Sequence, residues 1–464
     1  LLPRRKLLAN LLLRNKALPW ATLFLSLCSL NVQSGGNNAA SRLAGLRAIS
    51  EGHSLNIDLY KAWTEDWSRS PDGHYYPNKA PGGVLLGLPV FMLVDGAYNI
   101  AFNPPKNIVG QRPRPPIFEL YVFNMLTQAL PFALLVLYAV FEFGGEMGEE
   151  GTLFFVLAAL FGNTASIYMN TYFGHGLAAV LLLGSFIAWL KRRYPLSGAL
   201  MAACLLTEYG TGFVIPFYLA ATFVRERGWR PLFRIALGSL PFVAIWVWYH
   251  QVAFGNPLTP AIRFSNPDMI IKPTVSFTLW GMFSVPSPLI LYKLLFGPER
   301  GLLFTQPWLL GALPFFFKQT RLPKGTQLFL CGGLAGLLWM NASIGGWEGG
   351  WTVGPRYLSQ VFPALALALA LGWKEFSRPS RVLLLFGLGA SLLFRLAAFP
   401  LPVLAPPRSL WDTYWLAYSS LPFDSIPYQF LAAEIPLCAL TVVWFLQARK
   451  ATVCEGALWP EAVR

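Results

Sequence analysis

The stretch Asp66–Gly82, DWSRSPDGHYYPNKAPG, decides how this chain is read. It sets two aspartates, a histidine, two tyrosines, a lysine and three prolines into a polar window of an otherwise apolar protein. It follows the first membrane-length apolar run, and a polar segment punctuated by Pro and Gly beside a bilayer is a loop rather than a span. Loops held on a rigid scaffold are where binding and catalytic residues concentrate.

The surrounding composition says what that scaffold is. Of 464 residues, 55% are hydrophobic and 12% charged, and the mean hydropathy is +0.48. A soluble domain carries roughly 25% charged residues, so an all-α polytopic membrane protein is expected, as one integral domain over 1–464. Its 36 Phe and 17 Trp suit a membrane interface. The formal charge of +14 comes as short basic clusters between apolar runs, which is a positive-inside pattern and argues against nucleic acid. The cysteines, Cys28, Cys204, Cys331, Cys438 and Cys454, are scattered without a CxxC and read as small core residues. Arg4, Arg5, Lys6, Arg14 and Lys16 precede the apolar Leu18–Leu30, as in an uncleaved first span with a cytoplasmic N-terminus.

About twelve transmembrane helices are expected, near 17–34, 116–139, 152–170, 173–190, 197–208, 211–224, 233–252, 301–317, 327–343, 357–373, 380–400 and 430–448. This map puts Lys191–Arg193, Arg225–Arg234, Lys318–Lys324, Lys374–Arg381 and Arg449-Lys450 on the cytoplasmic side, with both termini. Counting the apolar run 83–101 as a span would invert them all. It is therefore read as a juxtamembrane or re-entrant helix with a polar break at Asp95 and Gly96, inside a long non-cytoplasmic first loop, 35–115. The acidic stretch Glu142–Glu150 then falls, against the trend, among the cytoplasmic loops.

On the outer face, Lys79 between Asn78 and Ala80-Pro81-Gly82 suits a phosphate, although a lone interfacial lysine also snorkels to headgroups. Asp58 and Asp66 are the candidate catalytic bases for activating an acceptor hydroxyl, or else helix caps. His74, Tyr76 and His175 are candidates for substrate binding, with plain interfacial packing as the alternative. Two isolated histidines make no metal signature, and no cofactor is assigned. Glu208 in TEYG sits near the membrane, where an ionisable group is costly; it serves a substrate or pairs with a structural arginine. Arg300 in PERGLL, and Trp347 and Arg356 in GGWEGGWTVGPRYL, add a guanidinium fork and an aromatic platform on glycine-rich backbone.

The order GHYYPNKAPG, FGNTASIY, FGH, TEYG, FGNP, PERGLL, WEGGW and GPRYL, from about Ser41 to Leu358, resembles the bacterial relatives of the protein O-mannosyltransferases in the glycosyltransferase C superfamily. The segment DW…G.YY..KAPG is also similar to the corresponding loop of the lipid A aminoarabinose transferases. The resemblance implies an inverting, mannosyltransferase-like enzyme of a bacterial inner membrane. It would take a sugar from a polyprenyl-phosphate donor on the non-cytoplasmic side, with Lys79 gripping the carrier phosphate. The acceptor, whether protein, lipid or glycan, is not specified. One departure stands out. Where the better-known members carry an acidic residue after the first span, this chain reads GGNNAASR, with Asn37 and Asn38. Since an amide cannot accept the proton, either Asp58 or Asp66 takes the role, or the chain is a non-catalytic subunit of a larger membrane complex. A transporter is less well motivated, because neither mid-span ionisable residues nor related halves are evident.

Overall fold

The computed structural model describes residues 15–28, 36–102, 117–269, 283–298, 300–317, 321–350, 352–398 and 441–442. The loop 400–429, most of the span expected at 430–448, the C-terminus and Trp351 lie outside them.

The described chain is mostly helical. A first helix, α1, covers 15–28, and α2, Gly36–Gly52, follows. Its central ten residues, Ala39–Ala48, are all buried, so this first-loop helix is part of the core rather than a surface element. The loop after it adds one short β-hairpin to the mostly helical chain. Trp67–Arg69 (β1) and Tyr75–Pro77 (β2) pair antiparallel, with Ser68 opposite Tyr76. Aromatic residues favour the pleated surface, and Pro71-Asp72-Gly73 supplies the turn, closed by the Gly73 N–H on the Ser70 carbonyl at 3.0 Å.

The next helix, α3, runs unbroken over Gly82–Phe102, so no polar break occurs at Asp95 and Gly96. Asp95 tolerates a helix in this setting because Arg47 of α2 meets its carboxylate at 2.6 Å. With Leu120–Leu160 and Arg230–Phe254, α3 is among the three described helices long and apolar enough to cross a membrane.

Ile117–Asn124, a π-helical turn at Met125–Ala129 and Leu130–Leu160 follow one another as α4. The acidic stretch Glu142–Glu150, expected as a loop, lies inside this helix, which kinks at Gly148. At 1.5 Å per residue, the limb before the kink extends about 46 Å, enough to cross a hydrocarbon core, while the limb after it, ending at Leu160, extends only about 18 Å. The acidic stretch meets the basic clusters there: Glu149 pairs with Lys16 at 3.0 Å, Glu142 with Lys191, and Glu150 with Arg381 at 3.8 Å. These partly exposed pairs add little stability, but they place the acidic and basic residues at one end of the molecule.

Four helices follow: α5 (Gly174–Leu190), α6 (Tyr194–Thr207), α7 (Ile215–Glu226) and α8 (Arg230–Phe254). The α6 and α8 backbones touch, since a Cβ on Gly198 or Gly238 would collide with the Ile235 or Pro195 carbonyl. Beyond Pro288–Phe296 (α9), the span expected at 301–317 is three short helical pieces, Leu302–Thr305, Trp308–Gly311 and Leu313–Phe317. Gly333–Ala342 (α10), Phe362–Leu371 (α11) and Arg378–Ala398 (α12) complete the described helices. Residues Phe362–Ala370 are buried on every side, as a helix apolar all round requires.

Candidate functional site

The basic end of α6 begins at Arg193, and its other end closes at Glu208. Fourteen residues separate the two ends by about 20 Å. At the Glu208 end lies a cavity of about 810 Å³.

Its polar end is assembled from five segments: α2 gives Asn38 and Arg42, the strand-to-helix link Asn78 and Lys79, and the start of α5 His175. The end of α6 gives Glu208 and Tyr209, and the turn before α11 gives Arg356, Tyr357 and Gln360. The rest of the wall is apolar, including Leu205, Phe213, Phe217, Trp246, Trp339 and Met340. Trp339 and Leu258, which also lines the cavity, are 61% and 76% exposed, so the apolar end reaches the outer surface of the helix bundle.

The charges are arranged in pairs. Arg42, 1% exposed, donates to Glu208 Oε1 at 3.1 Å and to the side chain of Asn38. His175 Nδ1 lies 3.7 Å from the same Glu208 oxygen. Lys79 Nζ meets Asp66 Oδ2 at 3.0 Å. Arg356 donates to the Tyr357 hydroxyl at 3.2 Å and lies over the Tyr357 and Phe173 rings, but it forms no ion pair among the described residues. Three cations thus meet two carboxylates at one end of the cavity. Arg42 and Arg356 each also carry a buried Nε donor with no protein acceptor, packed against the backbone of Gly83 and Gly349 respectively.

Asp66 stands behind Lys79, outside the cavity lining, with its carbonyl accepting from Ser41 Oγ at 2.6 Å and its N–H donating to Thr64 Oγ1 at 2.9 Å. Burial pushes its carboxyl up, but Lys79 beside it, helped by Arg356 and Asn78, outweighs burial and holds it below the usual carboxylate range. A depressed folded-state pKa contributes stability that is present above the unfolded value, near 3.9, and is lost as pH falls through the folded value. Melting of the wild type is therefore expected to acquire a steeper acid dependence only below about pH 4 from this group, and Asp66→Asn to lose that component. Identical melting curves for the two proteins from pH 6 to pH 3 would contradict the assignment.

Of the residues expected from sequence, Lys79, His175, Glu208 and Arg356 come together at the cavity, and the others lie elsewhere. Asp58 is exposed: it accepts from the Tyr75 N–H at 2.7 Å and contacts His74 Nδ1 at 2.6 Å, so both residues brace the β-hairpin. Tyr76 packs its ring on Phe254 at 5.4 Å. Trp347 packs with Leu294 and Ala342, under Lys293. Arg300, 2% exposed, spends its guanidinium on the Gly350 and Thr352 carbonyls, each at 2.8 Å. It fixes the turn in which Gly349, Gly350 and Gly354 take φ of +74°, +67° and +67°. That turn needs its glycines, and Arg356 lies against it, since a Cβ on Gly349 would stand 2.8 Å from Arg356 Nε.

The sequence reading missed Arg42. The available signal was an arginine inside AASRLAGLRA, four residues after Asn38, a spacing that puts both on one helix face. The amides that replace the expected acids have uses of their own. Asn38 Oδ1 accepts from Arg42 and Asn37 Oδ1 from the Glu65 N–H at 3.4 Å, while the Asn37 backbone carbonyl accepts from Thr64 Oγ1 at 2.8 Å and ties the loop to α2.

No known protein family, curated protein or solved structure matches this chain.

Proposed function

We propose that the chain is an integral membrane glycosyltransferase that takes a sugar from a polyprenyl-phosphate carrier and passes it, with inversion, to an acceptor on the non-cytoplasmic side. The observation that carries this reading is the polarity of the cavity. One end gathers Arg42, Lys79 and Arg356 against two carboxylates, and the remaining wall is apolar and reaches the bundle surface. The excess of one positive charge matches the single negative charge of a phosphodiester, and the apolar wall suits the first isoprene units. The ordered motifs of the sequence support the same reading, as does the separation of this end from the basic, cytoplasmic-type end of α6. About twelve spans, an inner-membrane location and cytoplasmic termini belong to this proposal.

A second reading, a non-catalytic subunit with the same architecture, is favoured by one observation: Asp58 and Asp66 are each tied to a cation or hairpin and neither lines the cavity. The purified full chain in lipid nanodiscs separates the two. Saturable binding of undecaprenyl phosphate, together with its release from undecaprenyl-phosphate sugars, is expected of the enzyme. Binding without release of the carrier, or no binding at all, favours the subunit.

A further inference from the structure

We infer that Glu208, rather than Asp58 or Asp66, is the general base that activates the acceptor hydroxyl. The inference rests on the transferase reading and assigns its central step.

Among the described residues that line the cavity, Glu208 is the only carboxylate. Asp58 is exposed on the hairpin, and Asp66 is screened from the cavity by Lys79. The position of Glu208 is also electrostatically unusual. It caps the C-terminal end of α6, in extended backbone at φ −140° and ψ 115°, where the helix dipole disfavours an anion. A residue placed there against its local preference needs compensation from elsewhere in the fold.

That compensation comes from two directions. Arg42 of α2 pairs with Oε1, and Oε1 also rests on the first turn of α5, where a helix N-terminus favours negative charge. The contact is close because residue 174 is glycine. A Cβ there would collide with Glu208 Oε1 and stand 2.6 Å from the Arg42 guanidinium. His175, next in the chain, completes the surround at 3.7 Å from the same oxygen. All these contacts use Oε1, and Oε2 makes no hydrogen bond among the described residues. The group is thus held by one oxygen and presents the other, as proton abstraction requires.

In the step this implies, Oε2 takes the proton of the acceptor hydroxyl as its oxygen bonds to the anomeric carbon from the face opposite the phosphate. The anomeric C–O bond to phosphate breaks, and its electron pair leaves with the carrier. A singly charged donor and the Glu208 carboxylate become a doubly charged polyprenyl phosphate and a neutral Glu208 carboxyl. The new negative charge falls beside Lys79 and Arg356, and configuration inverts.

The test uses the full chain in nanodiscs with two readouts: the Kd of undecaprenyl phosphate, and its single-turnover release from undecaprenyl-phosphate mannose, glucose and galactose, with bacterial membrane extract as the acceptor source. Glu208→Gln, which keeps an acceptor for Arg42 and adds to the excess positive charge, is expected to bind undecaprenyl phosphate at least as tightly as the wild type while turnover falls roughly 10²–10⁴-fold and the acid limb of its pH profile disappears. Glu208→Asp is expected to recover part of the turnover, and the exposed Asp58→Asn to retain it. Turnover by Glu208→Gln within tenfold of wild type overturns the assignment. So does loss of the acid limb in Asp66→Asn but not in Glu208→Gln. If Glu208→Gln does not fold, a pH profile for Glu208→Asp unchanged from wild type also overturns it. Failure of the wild type to bind undecaprenyl phosphate, or to release it from any of the three donors, instead sinks the transferase reading on which the base depends.

Discussion

Replacing Lys79 by alanine is expected to raise the Kd for undecaprenyl phosphate by at least 30-fold, from a loss of about 2–5 kcal/mol when one partner of a buried hydrogen-bonded charge pair is truncated. Two effects combine. A cation at the polar end of the cavity disappears, and the Asp66 carboxylate, 3.0 Å from Lys79 Nζ in the wild type, stays behind uncompensated. Lys79 is the partner that chiefly offsets burial at Asp66, with Arg356 and Asn78 adding less. With Asp66 ionised, the site changes from one cation in excess to balanced charge, with an anion near the place proposed for the phosphate.

The double variant Asp66→Asn/Lys79→Ala distinguishes this account from loss of a structural contact. Removing the stranded carboxylate restores the excess positive charge through Arg356, so the double variant is expected to bind more tightly than Lys79→Ala alone, by a coupling of about 0.5–3 kcal/mol. An unchanged Kd in Lys79→Ala, or a double variant as weak as the single one, would remove Lys79 from the phosphate site.

The sequence-chosen residues that the fold brings to the cavity share one property: each is a polar group at the edge of an apolar run. Lys79, His175, Glu208 and Arg356 stand just before, at the start of, or just after helices, where only a loop or a site tolerates them. Those that lie away from the cavity depend on partners distant in the chain. Asp58 looked catalytic because a carboxylate in a polar loop has the right chemistry, and nothing local shows that it is spent on His74 and the Tyr75 N–H. Arg300 looked like a phosphate ligand, but its acceptors are carbonyls of a turn some 50 residues later. Asp95 looked like a break in an apolar run because the arginine that neutralises it lies 48 residues earlier. Arg42 was hidden for the converse reason, as a buried arginine in a helix whose neighbours are small and apolar. Spacing and composition specify which groups can ionise, and the tertiary pairing decides which of them are already occupied.

The same Asp95 leads to the largest expected loss of stability. Arg47 is 2% exposed, and its guanidinium meets Glu51 Oε1 at 2.9 Å and Asp95 Oδ1 at 2.6 Å, with its planar face 4.9 Å from the centre of the Phe91 ring. Glu51 in turn accepts from the Tyr60 hydroxyl at 2.6 Å. One arginine therefore joins α2, the segment after it, and α3. Arg47→Ala strands two largely buried carboxylates and opens a void beside Phe91, and the expected cost is about 3–5 kcal/mol. The readout is the apparent melting temperature of the purified protein in detergent, together with the yield of monodisperse protein. Because α2 also carries Asn38 and Arg42, lipid-phosphate binding is expected to weaken along with it. Neutralising the carboxylates separates charge from packing. Arg47→Met with Glu51→Gln and Asp95→Asn leaves no buried charge unpaired, and a hydrophobic isostere often replaces a buried ion pair without loss. The triple variant is therefore expected to melt well above Arg47→Ala. If Arg47→Ala melted with the wild type, the clamp would contribute nothing, and α2 would be held by its other nine buried residues.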